Sequence, residues 1–195
     1  METFIKGTFK RTIFSSNDGY KVGLIKIKDT DDDELLDYGK LKPTVEDLEW
    51  RDRVYNFIPQ LQQIIDKYKP QIVYVEDVPL MSKRGNKTLV QLGATQGSII
   101  GLCGANNIKV EFISVSTWRM VVGLFDGTEN GKERDEMKVK SIQKANELFN
   151  INLSLVFTKN GNYNPNKSDD DISDSILIYC STRDKYKVKK GFGRR

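Results

Sequence analysis

The chain opens with short β-rich runs and then changes period. Residues 8–13 and 20–28 are rich in β-branched and aromatic side chains, and Ser15-Ser16-Asn17-Asp18-Gly19 lies between them. An Asp-Gly pair in that position predicts a hairpin, with residues 35–41 as a third strand. Thr44-x-x-Asp47 resembles a capping box and predicts a helix running to about Tyr68. Its apolar stripe is Val54, Phe57, Ile58, Leu61, Ile64 and Ile65; Pro59 is expected to kink it and Lys69-Pro70 to end it. Ile72-Val73-Tyr74-Val75 is apolar without a break, which places it centrally in a sheet rather than with one wet face.

Residues 87–106 read as the next helix and 108–113 as a strand, followed by Ser116-Thr117-Trp118-Arg119. Gly93, Gly97 and Gly101 recur every four residues on one helical face, at a cost of up to ~1 kcal/mol each, so they predict close approach of another backbone. A polar loop over 126–132, a helix over 133–149 and a loop over 158–167 lead to a last helix opened by Asp169-Asp170-Asp171-Ile172-Ser173-Asp174. The order βββ-α-β-α-β-α-α predicts an α/β fold, a mixed sheet flanked by helices.

With 195 residues the chain suits a single domain, 1–195, with a hairpin segment 1–34 and a basic tail 184–195. Net charge is only +4, but acid collects over 29–34 and 169–174, and base over 83–87 and 183–195. Separated patches of this kind attract a polyanion to one surface and hold cations at another. Cys103 and Cys180 lack C-x-x-C spacing and sit among apolar residues, so they read as small core side chains. No stretch approaches the ~18 apolar residues of a membrane span, and no secretory leader pattern is present; a reducing, cytoplasmic setting and no membrane partner are expected.

The absence of histidine excludes Ser-His-Asp and Cys-His catalysis and histidine-bound zinc. Carboxylates are left as the means of activating water, and clustered carboxylates suit Mg²⁺. Glu76-Asp77 ends the apolar strand. Asp171 and Asp174, three apart, share a face of a helix that Ile176, Leu177, Ile178, Tyr179 and Cys180 make apolar nearly all round. Ser168 as an N-cap with aspartates in the first turn accounts for Asp169 and Asp170 by helix electrostatics, but poorly for Asp174. Asp77 follows Glu76 on a strand and should point to the opposite face.

These residues resemble a known family. Ile72 to Glu76, Leu92-Gly93-Ala94-Thr95-Gln96-Gly97, Ser116-Thr117-Trp118-Arg119 and Asp171-x-x-Asp174-Ser175 are similar, in order and spacing, to RuvC-type Holliday-junction resolvases, particularly the divergent bacteriophage-type members. The resemblance implies a ribonuclease H-like fold, a homodimer, and Mg²⁺- or Mn²⁺-dependent cleavage of branched DNA. It implies two ions about 4 Å apart, held by Glu76, Asp171 and Asp174, that activate water and stabilise the departing 3′ oxygen. The family's first strand also carries an aspartate; here ungapped alignment puts Phe14 in its place. Asp18 is the nearest carboxylate, and would serve only if the hairpin shifts; its competing role is the turn before Gly19. Residues 5–38 are also similar to the N-terminal segment of RecD-like helicases, which implies a replaced first strand, with cleavage lost and DNA binding kept. Lys138 matches the family's lysine near the scissile phosphate. Lys83, Arg84, Lys87, Arg119, Lys132, Arg134 and Lys140 are expected to contact DNA, with solvated charge as the competing reading. The reading is a structure-selective endodeoxyribonuclease; a non-catalytic junction binder and a ribonuclease H-like enzyme on RNA–DNA hybrids are its rivals.

Overall fold

The computed structural model describes residues 8–16, 19–27, 34–41, 49–77, 86–125 and 134–191, with side chains described for 35–41, 49–77, 89–125 and 134–182. Five strands, β1 (Thr8–Ser16), β2 (Gly19–Ile27), β3 (Glu34–Leu41), β4 (Ile72–Asp77) and β5 (Lys109–Ser114), form one sheet in the order β3-β2-β1-β4-β5. The hairpin β1–β2 and the pair β2–β3 are antiparallel, whereas β1–β4 and β4–β5 are parallel. The helices are α1 (Trp50–Tyr68), α2 (Asn86–Ala105), α3 (Val115–Val121), α4 (Arg134–Phe149) and α5 (Asp170–Gly191). This is the mixed, helix-flanked sheet expected from the element order.

Strand β4 is apolar throughout because both of its faces are covered. Ile72 and Tyr74 join the core formed with α3, α4 and α5, around Trp118, Ile142, Ala145, Ile176 and Leu177. Val73 and Val75 face the other way, onto Phe57, Leu61 and Ile65 of α1 and Ile99 and Cys103 of α2. Each fully buried side chain of this size contributes about 1.5–3 kcal/mol, so the two cores clamp β4 from both sides. Alternation then puts Glu76 on the face of Ile72 and Tyr74, toward α5, and leaves Asp77 exposed on the opposite one.

The starts of α1 and α5 differ from expectation, while α1 ends where expected. α1 begins at Trp50, with Glu49 as its N-cap and no side-chain cap bond, while the Thr44-x-x-Asp47 box lies outside the described residues. The helix runs through Pro59 and ends at Lys69, whose left-handed backbone (φ 44°) lets its N–H reach the Ile65 carbonyl. Ser168 does not cap α5. Its hydroxyl donates to the Asn164 carbonyl at 2.8 Å and accepts from the Val156 N–H at 3.0 Å, tying down the loop before the helix. The carbonyl of Asp169 accepts from Ile172 and Ser173 instead, so the helix starts one residue later.

Candidate active site

α5 enters the core with its acids already inside. Asp170 and Asp174, one turn apart, are 7% and 1% exposed. Between them lies the ammonium of Lys138 from α4: Nζ is 2.8 Å from Asp170 Oδ2, 2.8 Å from Asp174 Oδ2 and 3.6 Å from Asp171 Oδ1. Burial alone would lower the lysine's pKa, but the charges and hydrogen bonds of Asp174 and Asp170 outweigh it and raise it above the ordinary range. Ser141, one turn along α4, donates to Asp174 Oδ1 at 2.7 Å and lies 2.8 Å from the Ser173 hydroxyl. Arg119 of α3 reaches Asp174 Oδ2 at 3.4 Å, its guanidinium set 5.1 Å from the centre of the Trp118 ring. Both oxygens of Asp174 are therefore engaged.

Glu76 belongs to the same constellation, although it is 94 residues or more from the α5 acids in sequence. Its carboxyl is pushed up to about 7, first by burial and then by the charge of Asp174; Arg119, Lys138 and the Trp118 indole pull less strongly the other way. Among the described residues, Oε2 of Glu76 and Nε1 of Trp118 are buried without a partner at hydrogen-bonding geometry. On the backbone side, Gln96 of α2 donates from Nε2 to the Glu76 carbonyl at 3.2 Å, fixing the end of β4 against α2.

Glu76 and Asp174 are within electrostatic reach of one another, and Asp171 is joined to Asp174 through Lys138. Lys138 is a buried cation of the acid cluster rather than part of a solvated helix face. Arg134 is exposed, and Lys140 is paired with Glu136 on its own helix. Lys83, Arg84, Lys132 and Asp18 lie outside the described residues, as does the side chain of Lys87. β1 pairs with β4 from Lys10–Ile72 to Ile13–Val75, so Phe14 follows the last matched pair on β1 as Glu76 does on β4.

Three residues escaped the sequence reading. Asp170 read as a first-turn acid accounted for by helix electrostatics, yet it is buried against Lys138. Ser141 looked like one more polar residue of α4. The available signal was the spacing of Lys138, Ser141, Ile142 and Ala145, an i, i+3, i+4, i+7 stripe that is buried in full. Tyr163 lay in what read as a plain loop. Its phenol is raised in pKa by burial and then by the charge of Asp170, with Ser168 and Lys138 opposing, and its oxygen has no hydrogen-bond partner among the described residues.

Among the described residues, no three acidic side chains are gathered closely enough to grip an ion as they stand. The chemistry nevertheless suits one hard cation. Glu76, Asp170, Asp171 and Asp174 outnumber Lys138 and Arg119 by two charges when ionised, and the unpartnered Glu76 oxygen is a ready ligand.

The sequence is 25% identical over 160 residues to the crossover junction endodeoxyribonuclease RuvC of Fusobacterium nucleatum subsp. nucleatum, covering 82% of this chain and 72% of that protein. No family model matches. Among solved structures, Thermus thermophilus RuvC in complex with a Holliday junction substrate superposes with a TM-score of 0.65 at 12% identity, covering 91% of this chain and 96% of that one. The resemblance to RuvC-type resolvases holds in sequence and in fold. Fowlpox virus resolvase, in its complex with substrate Holliday junction DNA, gives a TM-score of 0.54 at 16% identity over 92% of this chain and 99% of that one. The RuvC-type fold thus brings β4, α3, α4 and α5 together where Glu76, Arg119, Lys138 and Asp174 meet.

Proposed function

We propose that this chain is a metal-dependent nuclease that recognises Holliday junctions or related branched DNA. The observation that carries the reading is the buried meeting of Glu76 with Asp174 beside two cationic side chains, in a chain of RuvC-type fold. Glu76, Asp171 and Asp174 would hold a divalent ion, Mg²⁺ or Mn²⁺, with Ser141 keeping the Asp174 carboxylate in one orientation. Such an ion, when bound, polarises a phosphoryl oxygen and lowers the pKa of a water molecule. Arg119, only part-buried, is the side chain best placed to meet a backbone phosphate, and Lys138 adds positive charge behind it. The buried setting makes these charges act strongly, because little water screens them.

A second reading has its own support. A pair of ions would need the further carboxylate that the family carries on its first strand, and Phe14 is the β1 residue that follows the last pair matched with β4. A junction-binding protein with an incomplete metal site fits that register. Labelled four-way junction DNA incubated with Mg²⁺ or Mn²⁺ separates the two. Cut strands that disappear with EDTA support the nuclease; a shifted but intact junction supports the binder; intact, unshifted DNA defeats both.

The chain is also proposed to act as a homodimer, with α2 at the seam. Among the described residues, nothing lies within 4 Å of where a Cβ would stand at Gly93, Gly97, Gly101 or Gly104, so the close approach expected from their spacing is not met within the chain; Val90 and Ile100 are exposed on the same helix. Gly97→Ala should stabilise the isolated chain by roughly 0.5–1 kcal/mol, because alanine is the better helix former. It should at the same time weaken self-association, which sedimentation velocity over a concentration series would read. Unchanged association would remove α2 from the seam.

A further inference from the structure

The acid cluster already contains a cation of its own, and that cation is gripped from two ends. Toward β4 lies Asp174, which also receives Ser141 and Arg119 and whose charge acts on Glu76. Toward the loop before α5 lies Asp170, buried, with its oxygen as close to the ammonium as that of Asp174. The Lys138 ammonium thus lies between the two carboxylates, 2.8 Å from each.

The Asp170 end is backed by a fastened loop. Tyr163, 8% exposed, lies near enough for the charge of Asp170 to act on its phenol, whose oxygen has no hydrogen-bond partner among the described residues. Tyr163 forms a β-bridge with Phe157, Thr158 N–H donates to the Asn162 carbonyl at 2.7 Å, and Asp169 N–H donates to the Ser154 carbonyl at 2.9 Å. Asn146 of α4 fixes the loop's start by two bonds to the Leu153 backbone, at 2.7 and 3.2 Å.

We propose that Asp170 is a positioning residue that tethers the Lys138 ammonium, so that Lys138 is a built-in counter-cation which a divalent ion displaces from Asp174 but not from the site. The inference rests on the proposed metal site and adds a division of labour to it. Asp171 and Asp174 serve the ion, whereas Asp170 serves the lysine. A carboxylate shared between an ammonium and a divalent ion binds the ion more weakly than a free one, because like charges repel at short range. The tether keeps the displaced lysine beside the ion, where its charge faces an incoming phosphate.

The test uses the full chain with ¹⁵N-labelled lysine, stripped of metal by EDTA and dialysis. A buried, ion-paired ammonium exchanges slowly enough to give its own ¹H–¹⁵Nζ resonance, and the Lys138 signal is the one missing from Lys138→Met. In the wild type it is expected to shift on adding Mg²⁺ and to persist at saturation. In Asp170→Asn it should shift but persist in the metal-free protein, where Asp174 still holds the ammonium, and be lost on adding Mg²⁺; Asp170→Glu should restore the wild-type behaviour. Mn²⁺ binding, followed by the electron paramagnetic resonance of the free ion, should be on the order of tenfold tighter in Lys138→Met than in the wild type, as expected for removing one nearby positive charge. A Lys138 resonance in Asp170→Asn that matches the wild type with and without Mg²⁺, or equal Mn²⁺ affinity in Lys138→Met, overturns the proposal. A wild type that binds no Mn²⁺ while Asp170→Asn still shifts the metal-free resonance would instead refute the metal site and leave the Asp170 contact standing.

Discussion

Exchanging Glu76 for glutamine is expected to make the metal-free protein more stable above neutral pH. The carboxyl moves from an ordinary value of 4.5 to about 7 on folding, chiefly because it is buried and because Asp174 is beside it. A raised carboxyl is favourable to the fold while protonated. Below pH 4.5 wild type and Glu76→Gln should therefore unfold alike. Between 4.5 and 7 the wild type loses stability as the folded state resists ionisation, and above 7 the loss is complete, at roughly 3 kcal/mol. Glutamine carries no charge to desolvate, so the variant escapes that loss. Urea unfolding in EDTA at pH 4, 6 and 8 would read the difference, and curves that run parallel across that range would contradict it. The same substitution should abolish junction cleavage while leaving junction binding largely intact. A destabilising carboxylate retained in a core is what a site awaiting a cation would show.

Asp174→Asn should do the reverse. Asp174 accepts from Lys138, Ser141 and Arg119 and is almost wholly buried, so its charge is compensated where that of Glu76 is not. Asparagine offers one acceptor in place of two and turns an N–H₂ toward groups that are themselves donors. Removing one partner of a buried pair leaves the other uncompensated, and about 3 kcal/mol of stability is expected to go, the lower end of the usual cost because Asp170 and Asp171 still hold the ammonium. The same unfolding experiment at pH 8 reads it, and a loss well under 1 kcal/mol would mean that Asp174 does not organise the cluster. Two acids of one site thus predict opposite signs, a pattern that simple crowding of negative charge would not produce.

Much of this arrangement was visible in the residue order. β4 could be placed centrally because Ile72 to Val75 leave no polar position for a wet face, and that placement fixed the direction of Glu76. α5 could be recognised as buried because its apolar residues go all the way round, which made Asp174 hard to explain as a surface acid. What stayed hidden depends on contacts distant in the chain. Asp170 is buried only because the loop carrying Tyr163 folds back over it. Lys138 is a buried cation of the cluster rather than part of a solvated helix face only because α4 packs along α5. The departure at the first strand was legible in advance, since a hairpin register that pairs Ile13 with Val22 and a parallel one that pairs Ile13 with Val75 leave Phe14 beside the strand end.

Glu76 owes its address to parity. It faces α5 because it stands an even number of residues after Ile72, and Asp77 faces away because it stands an odd number after it. Inserting or deleting one residue within β4 would exchange the two acids between the faces of the sheet, delivering Asp77 to Lys138 and Arg119 and sending Glu76 toward α1 and α2. A change of two residues would return the glutamate to its side at a different depth. Length variation in this strand is thus forbidden in odd steps, a constraint that applies whatever side chains fill the core around it.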